Sequence, residues 1–152
     1  MLFRSALKLP RYLGSFKYTL ATFISLLGKH WESLVIESDN INEKGDYCLA
    51  IVANSPSFGG GMKVSNKANL YSDFMYLILV NKVNKLKLIF LFILLLMGKH
   101  YNRKEFREYP IKTVKISKTD GVLKGQSDGD SLPAGNLDLV LNPKSLRVLA
   151  HE

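Results

Sequence analysis

Apolar positions in this chain recur with two different periods. Leu13, Phe16, Leu20, Phe23, Ile24 and Leu27 fall three or four residues apart, which predicts a helix from about Tyr12 to Leu27 with one apolar stripe. Gly28 follows where glycine ends helices, and Lys29 and His30 sit where the helix dipole favours cations. A second helix is predicted over Asn84 to Met97. It ends the same way, with Gly98, Lys99 and His100, which reads as convergent capping rather than a repeat. Elsewhere the runs are short and β-type. Ser33–Glu37 and Tyr47–Ala53 read as strands separated by a polar turn over Ser38–Asp46. Phe74–Val80 is apolar throughout, as in a strand covered on both faces, although periodicity fits the start of the long helix equally well. Ile111–Lys118 reads as one strand, with Val114 and Ile116 on one face and Lys115 and Ser117 on the other. Leu137, Leu139 and Leu141 alternate with Asp138, Val140 and Asn142, and Ser145–Ala150 makes a final strand after Pro143. Many short strands with Gly, Asp and Pro turns predict a β-sandwich or barrel carrying two helices.

The run Leu88–Met97 (LIFLFILLLM) is about half the ~20 residues a spanning helix needs. Lysines and asparagines precede it and Gly98, Lys99 and His100 follow, so it reads as a buried core helix, with an interfacial helix as the alternative. The 152 residues are 47% hydrophobic and 22% charged, which excludes a disordered chain. Cys48 is the only cysteine, so no internal disulfide forms. The net charge of +8 favours anionic partners. Arg4, Lys8, Arg11, Lys17 and Lys29 all precede the first carboxylate, Glu32. Organellar transit peptides share that composition, but a helix packed on the domain is the simpler reading, and the cations interrupt any secretory apolar core. Residues 1–10 are therefore taken as a basic lead-in and 11–152 as one domain.

Three segments are candidates for chemistry. Asn54–Met62 (NSPSFGGGM) places three glycines together. It suits either a cradle of backbone N–H groups for a phosphate or an ordinary Gly-rich loop, and it lacks the Lys-Ser/Thr of a P-loop. Gln126–Asp130 (QSDGD) is either a hairpin turn or a carboxylate pair for cation binding and base catalysis. Asp73, ahead of an apolar strand, is either a turn residue or an anchor for a hard cation completed by backbone carbonyls. His30, His100 and His151 have no metal-ligand spacing, and Cys48 reads as a core residue, so zinc is not expected. Trp31 and the tyrosines are scattered without a basic-aromatic interleave, so no nucleic-acid partner is expected.

The order of these segments resembles a known family. Asn-x-x-x-Phe-Gly-Gly-Gly-Met at Asn54–Met62, Ala-x(4)-Asp at Ala68–Asp73, a strand and helix ending Gly-x-His at Phe74–His100, and Asp-Gly-acid at Asp128–Asp130 are similar to the C-terminal half of the diacylglycerol-kinase and sphingosine-kinase-like lipid kinases. The bacterial soluble diacylglycerol kinases resemble it most, and the similarity runs over nearly the whole chain. It implies a mainly β fold, an antiparallel β-sandwich with two main helices, facing a smaller nucleotide-binding domain across a cleft. It implies that Asn54, Gly59, Gly60, Gly61 and Asp128 line that cleft. Asp73 would hold Mg2+ with the carbonyls of Leu70 and Met75, and Asp130 would be the base that deprotonates a lipid hydroxyl attacking ATP.

Three departures accompany the resemblance. The family's Gly-Gly-Asp-Gly-Thr nucleotide signature does not occur in the chain. Asp130 stands where the family has Glu, and a misplacement of ~1 Å costs on the order of 100-fold in rate. Phe74 stands where a glycine usually follows the metal-site aspartate. The expectation is therefore the lipid-facing half of an ATP-dependent lipid kinase, inactive alone. It is expected to be cytoplasmic and peripheral at an anionic membrane, and to need a separate nucleotide-binding partner. The alternative is a stand-alone basic module for anionic membranes or for such a nucleotide-binding subunit. A cleft face without its partner domain also predicts self-association.

Overall fold

The structure, a computed structural model, describes residues 31–58, 62–128 and 130–143. A tight turn folds β1 (Glu32–Ser38) back on the long β2 (Asn42–Ala53), and the register pairs Glu37 with Asn42 and Glu32 with Tyr47. The polar turn expected over Ser38–Asp46 is thus much shorter, and β2 begins at Asn42 rather than Tyr47. Its charged residues are compatible with a strand because they have partners. Glu43 meets Arg107, and Asp46 meets Ser33 and Lys82. The ribbon of β3 (Ser57–Phe58) and β4 (Met62–Lys63) follows, then β5 (Met75–Asn81) and helix α1 (Lys85–Leu96). After them come β6 (Phe106–Ile111), β7 (Thr113–Lys118), the ribbon of β8 (Gln126–Ser127) with β9 (Asp130–Ser131), and β10 (Leu137–Val140).

Six strands form one sheet in the order β10-β7-β1-β2-β5-β6, and every neighbouring pair is antiparallel. Strand β2 changes partner midway. Residues 42–47 pair with β1 and 47–53 with β5, and the register slips between Tyr47 and Leu49. Lys112 alone separates β6 from β7, although the two strands lie four steps apart in the sheet. In a flat sheet those steps would span on the order of 19 Å. The sheet therefore folds over on itself, at the β2 irregularity and at Lys112, as strands do at the corners of a sandwich. Leu34, Ile36, Leu77, Ile111 and Val114 from both halves meet in a single core. The expected antiparallel sandwich is what forms. Ile111–Lys118, expected as one strand, is two, because the bend at Lys112 sends its parts to different neighbours. Most of β6 (FREYP) had no β-type pattern, and Pro110 is tolerated because β6 is an edge strand.

Strand β5 is covered on both faces, as its unbroken apolar run suggests. Met75, Leu77 and Leu79 enter the core between the sheet halves. Ile78 and Val80 pack under α1, against Phe92 and Leu95 and against Leu91 and Leu94. Asn84 caps α1 by accepting the Lys87 N–H at 2.9 Å. At the other end Gly98 takes φ +65°, its N–H bonds the Leu95 carbonyl, and the Lys99 N–H bonds the Leu94 carbonyl. The expected core helix is buried on one side only. Leu88, Leu91, Phe92, Leu94 and Leu95 are covered, whereas Leu86 is 80% and Met97 57% exposed. No helix among the described residues is long and apolar enough to cross a membrane. The helix expected at Tyr12–Leu27, the basic lead-in and the strand at Ser145–Ala150 lie outside the described residues.

Candidate functional site

Residues 64–74 form a loop that carries Asp73 into β5, and it is anchored on three sides. The N–H groups of Val64 and Ser65 donate to the Pro56 carbonyl at 2.9 and 3.3 Å, tying it to the turn between β2 and β3. The Val64 carbonyl accepts from His100 Nε2 at 3.2 Å, tying it to the segment after α1. Ser65 Oγ donates to Glu108 Oε1 on β6 and accepts from the backbone of Lys67 and Ala68. Lys67 Nζ lies 3.9 Å from the same carboxylate. Further along, Asn69 Oδ1 accepts the Tyr71 N–H and Ser72 Oγ accepts the Phe74 N–H, so two short polar turns shape the tip.

Pairing of Ala53 with Tyr76 brings the end of β2 beside the start of β5, so Asn54 and Asp73 belong to the same end of the sheet. Both are exposed, as is Leu70. Met75 instead opens β5 opposite Ile111, with its side chain in the core. Lys112 Nζ sits 5.1 Å from the centre of the Phe74 ring, so the Phe74 side chain is engaged at the β6–β7 corner. No three His, Cys, Asp or Glu side chains gather into a metal cage among the described residues. Asp73 with neighbouring carbonyls is an all-oxygen donor set, the kind that suits a hard cation retaining several waters.

Asp128 and Asp130 belong to the β8–β9 hairpin, in which Ser127 pairs with Asp130. Asp128 has φ +47°, the left-handed conformation that two-residue Asp-Gly hairpins require at this position. Both carboxylates are exposed, and among the described residues no ion pair holds either one. Gly59, Gly60 and Gly61 lie outside the described residues, and β3 and β4 flank them as a hairpin.

Sequence reasoning missed the groups that hold this region together. Ser65 and His100 are both 1% exposed. Burial pushes the His100 pKa down, against the Val64 carbonyl and the Glu108 charge, which favour the cation. Its Nε2–H must donate to the Val64 carbonyl, so the neutral ring leaves Nδ1 as an acceptor, and that atom has no partner among the described residues. Tyr101 and Phe106 cover the ring, with centroids 4.0 and 4.8 Å away. Across the sheet, Arg107 clamps Glu43 at 2.5 and 2.9 Å, which holds the Glu43 carboxyl low. Burial and the Glu43 carboxylate push the Tyr47 hydroxyl up to about 12. Ser65 and Glu108 are 43 residues apart, so no local spacing signals their contact.

The described residues thus form an antiparallel sandwich folded over at a β2 irregularity, with Asn54 and the 64–74 loop at the end of β2 and the start of β5. The family model described as YegS C-terminal NAD kinase beta sandwich-like domain matches residues 3–150, and the chain belongs to that family. Among solved structures it is similar to "a putative diacylglycerol kinase" from Bacillus anthracis str. Sterne, with TM-score 0.62 and 13% identity over 81% of this chain and 42% of that one. A second structure described in the same terms, from the same strain, gives TM-score 0.59 and 13% identity over 82% and 41%. A third, described as one of the diacylglycerol kinases of that strain, gives TM-score 0.56 and 15% identity over 82% and 47%. The chain thus spans less than half the length of each. A search of curated proteins finds no match.

Proposed function

We propose that this chain is the acceptor-side half of an ATP-dependent lipid kinase, which transfers the γ-phosphoryl group of ATP to a lipid hydroxyl such as that of diacylglycerol. The observation that carries this reading is family membership over residues 3–150, together with likeness to less than half of diacylglycerol-kinase chains. In the proposed mechanism Asp130 accepts the proton of the lipid hydroxyl, and Asp128 and the Asn54–Gly61 segment line the cleft. Asp73 would hold Mg2+, with the Leu70 and Met75 carbonyls as further oxygen donors, and the ion would supply charge stabilisation there. Exposure of Asp128 and Asp130 supports the reading, since a base must reach a lipid presented from outside. The three-sided anchoring of the 64–74 loop supports it too, because phosphoryl transfer depends mainly on positioning. The nucleotide is bound by a separate domain, so the chain alone is inactive.

The test is ATP-dependent phosphatidate formation on detergent-dispersed diacylglycerol. The chain is assayed alone and after mixing with the nucleotide-binding half of a Bacillus anthracis diacylglycerol kinase. No product alone and product on mixing is the expected result. Product from the chain alone, or none in either case, overturns the proposal.

A further inference from the structure

Helix α1 is apolar on every side, but the sheet covers only one of them. Leu86, Phe90, Ile93 and Met97, at steps of four, three and four, make a straight exposed stripe on the other. From Asn84 to Lys104 the chain carries Lys85, Lys87, Lys99, Arg103 and Lys104 and no acid. Arg103 is beside the stripe, its guanidinium 5.4 Å from the centre of the Phe90 ring. The nearest acid, Glu105, is buried and bonded to Lys87 at 2.6 Å. An apolar strip with a mainly cationic surround is the composition of a helix that lies in the plane of an anionic bilayer.

We propose that α1 docks this protein on an anionic lipid surface, with the stripe among the acyl chains and the cations at the headgroups. The inference deepens the lipid-kinase reading by naming the surface that meets the membrane. Charge selects this occupant over two others. A second copy meeting the stripe would set the same cations against each other. Residues 1–30 of the chain carry five cations and no carboxylate, so they bring no compensating charge either. A bilayer supplies both the anionic layer and the apolar layer at once.

The full chain is cosedimented with vesicles of phosphatidylcholine alone and of phosphatidylcholine with phosphatidylglycerol. Binding to the anionic vesicles only, weakened by added salt, is expected. Joint substitution Phe90→Glu and Ile93→Glu lowers that binding by about tenfold or more, since it adds like charge and removes apolar area. The control Val140→Glu, at an exposed apolar position on β10, leaves it unchanged. A second variant, Arg103→Ser with Lys104→Ser, leaves the apolar stripe in place and weakens binding, with the circular dichroism spectrum unchanged. Vesicle binding that survives in the Phe90/Ile93 variant overturns the proposal, and so does an unmodified chain that binds neither vesicle. A dimer dissolved by the same substitutions without any vesicle binding also overturns it, in favour of a second copy. The α1 variant keeps phosphatidate formation on detergent-dispersed diacylglycerol in the mixing assay, so failure of docking and failure of the kinase reading are read separately.

Discussion

Ser65 Oγ donates a hydrogen bond to the Glu108 carboxylate, joining the loop that carries Asp73 to the edge strand of the sheet. The same oxygen accepts from Lys67 at 3.0 Å and Ala68 at 2.8 Å, so one hydroxyl both shapes the loop and fastens it. Removing it leaves a largely buried carboxylate and two backbone N–H groups short of a partner. Ser65→Ala is expected to cost about 1–3 kcal/mol, or a fall of several degrees in Tm. Thermal melts check this. A Tm within a degree of the unmodified chain would mean that water replaces the contact at no cost.

His100 makes stability depend on pH. Its folded pKa lies below the usual 6.5 because burial disfavours the cation. The unfolded chain therefore takes up the proton first on acidification. Stability is fully present above about pH 6.5 and is lost as pH falls through the folded value. The Glu43 carboxyl is also held low, but its loss begins only near its ordinary 4.5, so the two windows are distinct. Urea melts from pH 7.5 down to about 5 are expected to show the loss, and His100→Gln is expected to flatten it while lowering stability at pH 7.5. An unmodified chain as stable at pH 5 as at pH 7.5 would exclude the assignment.

Asp130 is exposed and held by no ion pair among the described residues, so its replacement should scarcely affect folding, by about 0.5 kcal/mol or less. Its effect is expected in the mixed-domain kinase assay. Asp130→Asn removes the proton acceptor and abolishes phosphatidate formation. Asp130→Glu restores the longer reach and is expected to raise the rate by on the order of 10- to 100-fold. Equal rates for the unmodified chain and for both of these variants would remove this residue from the mechanism.

Local patterns predicted the elements whose neighbours match their own periodicity. The Asn84–Met97 helix with its glycine stop and the Leu137–Leu141 alternation appear where expected, and the Phe74–Val80 run, open between strand and helix in the sequence, is a strand. The Asp128-Gly turn is also a hairpin, because a positive φ at Asp128 is a local property. Strand β6 escaped because an edge strand can keep Arg107, Glu108 and Pro110, each satisfied by a partner far along the chain. The loop anchors escaped for the same reason. His100 looked like a helix-terminal cation and is a buried neutral ring.

By itself the sequence determined the mainly β composition, the placement of α1, the basic character and the order of the Asn54, Asp73 and Asp130 segments. Each follows from spacing or from charge, which local chemistry sets. Tertiary structure alone decided where the sheet turns over. Asp39 in the β1–β2 turn accepts the N–H groups of Lys112 and Thr113, and Asn40 donates to the Pro110 carbonyl, pinning that corner across 70 residues or more. It also decided that α1 has only one covered face. A helix that is apolar all round reads as core from its composition, and only the number of surfaces packed against it shows which side stays open.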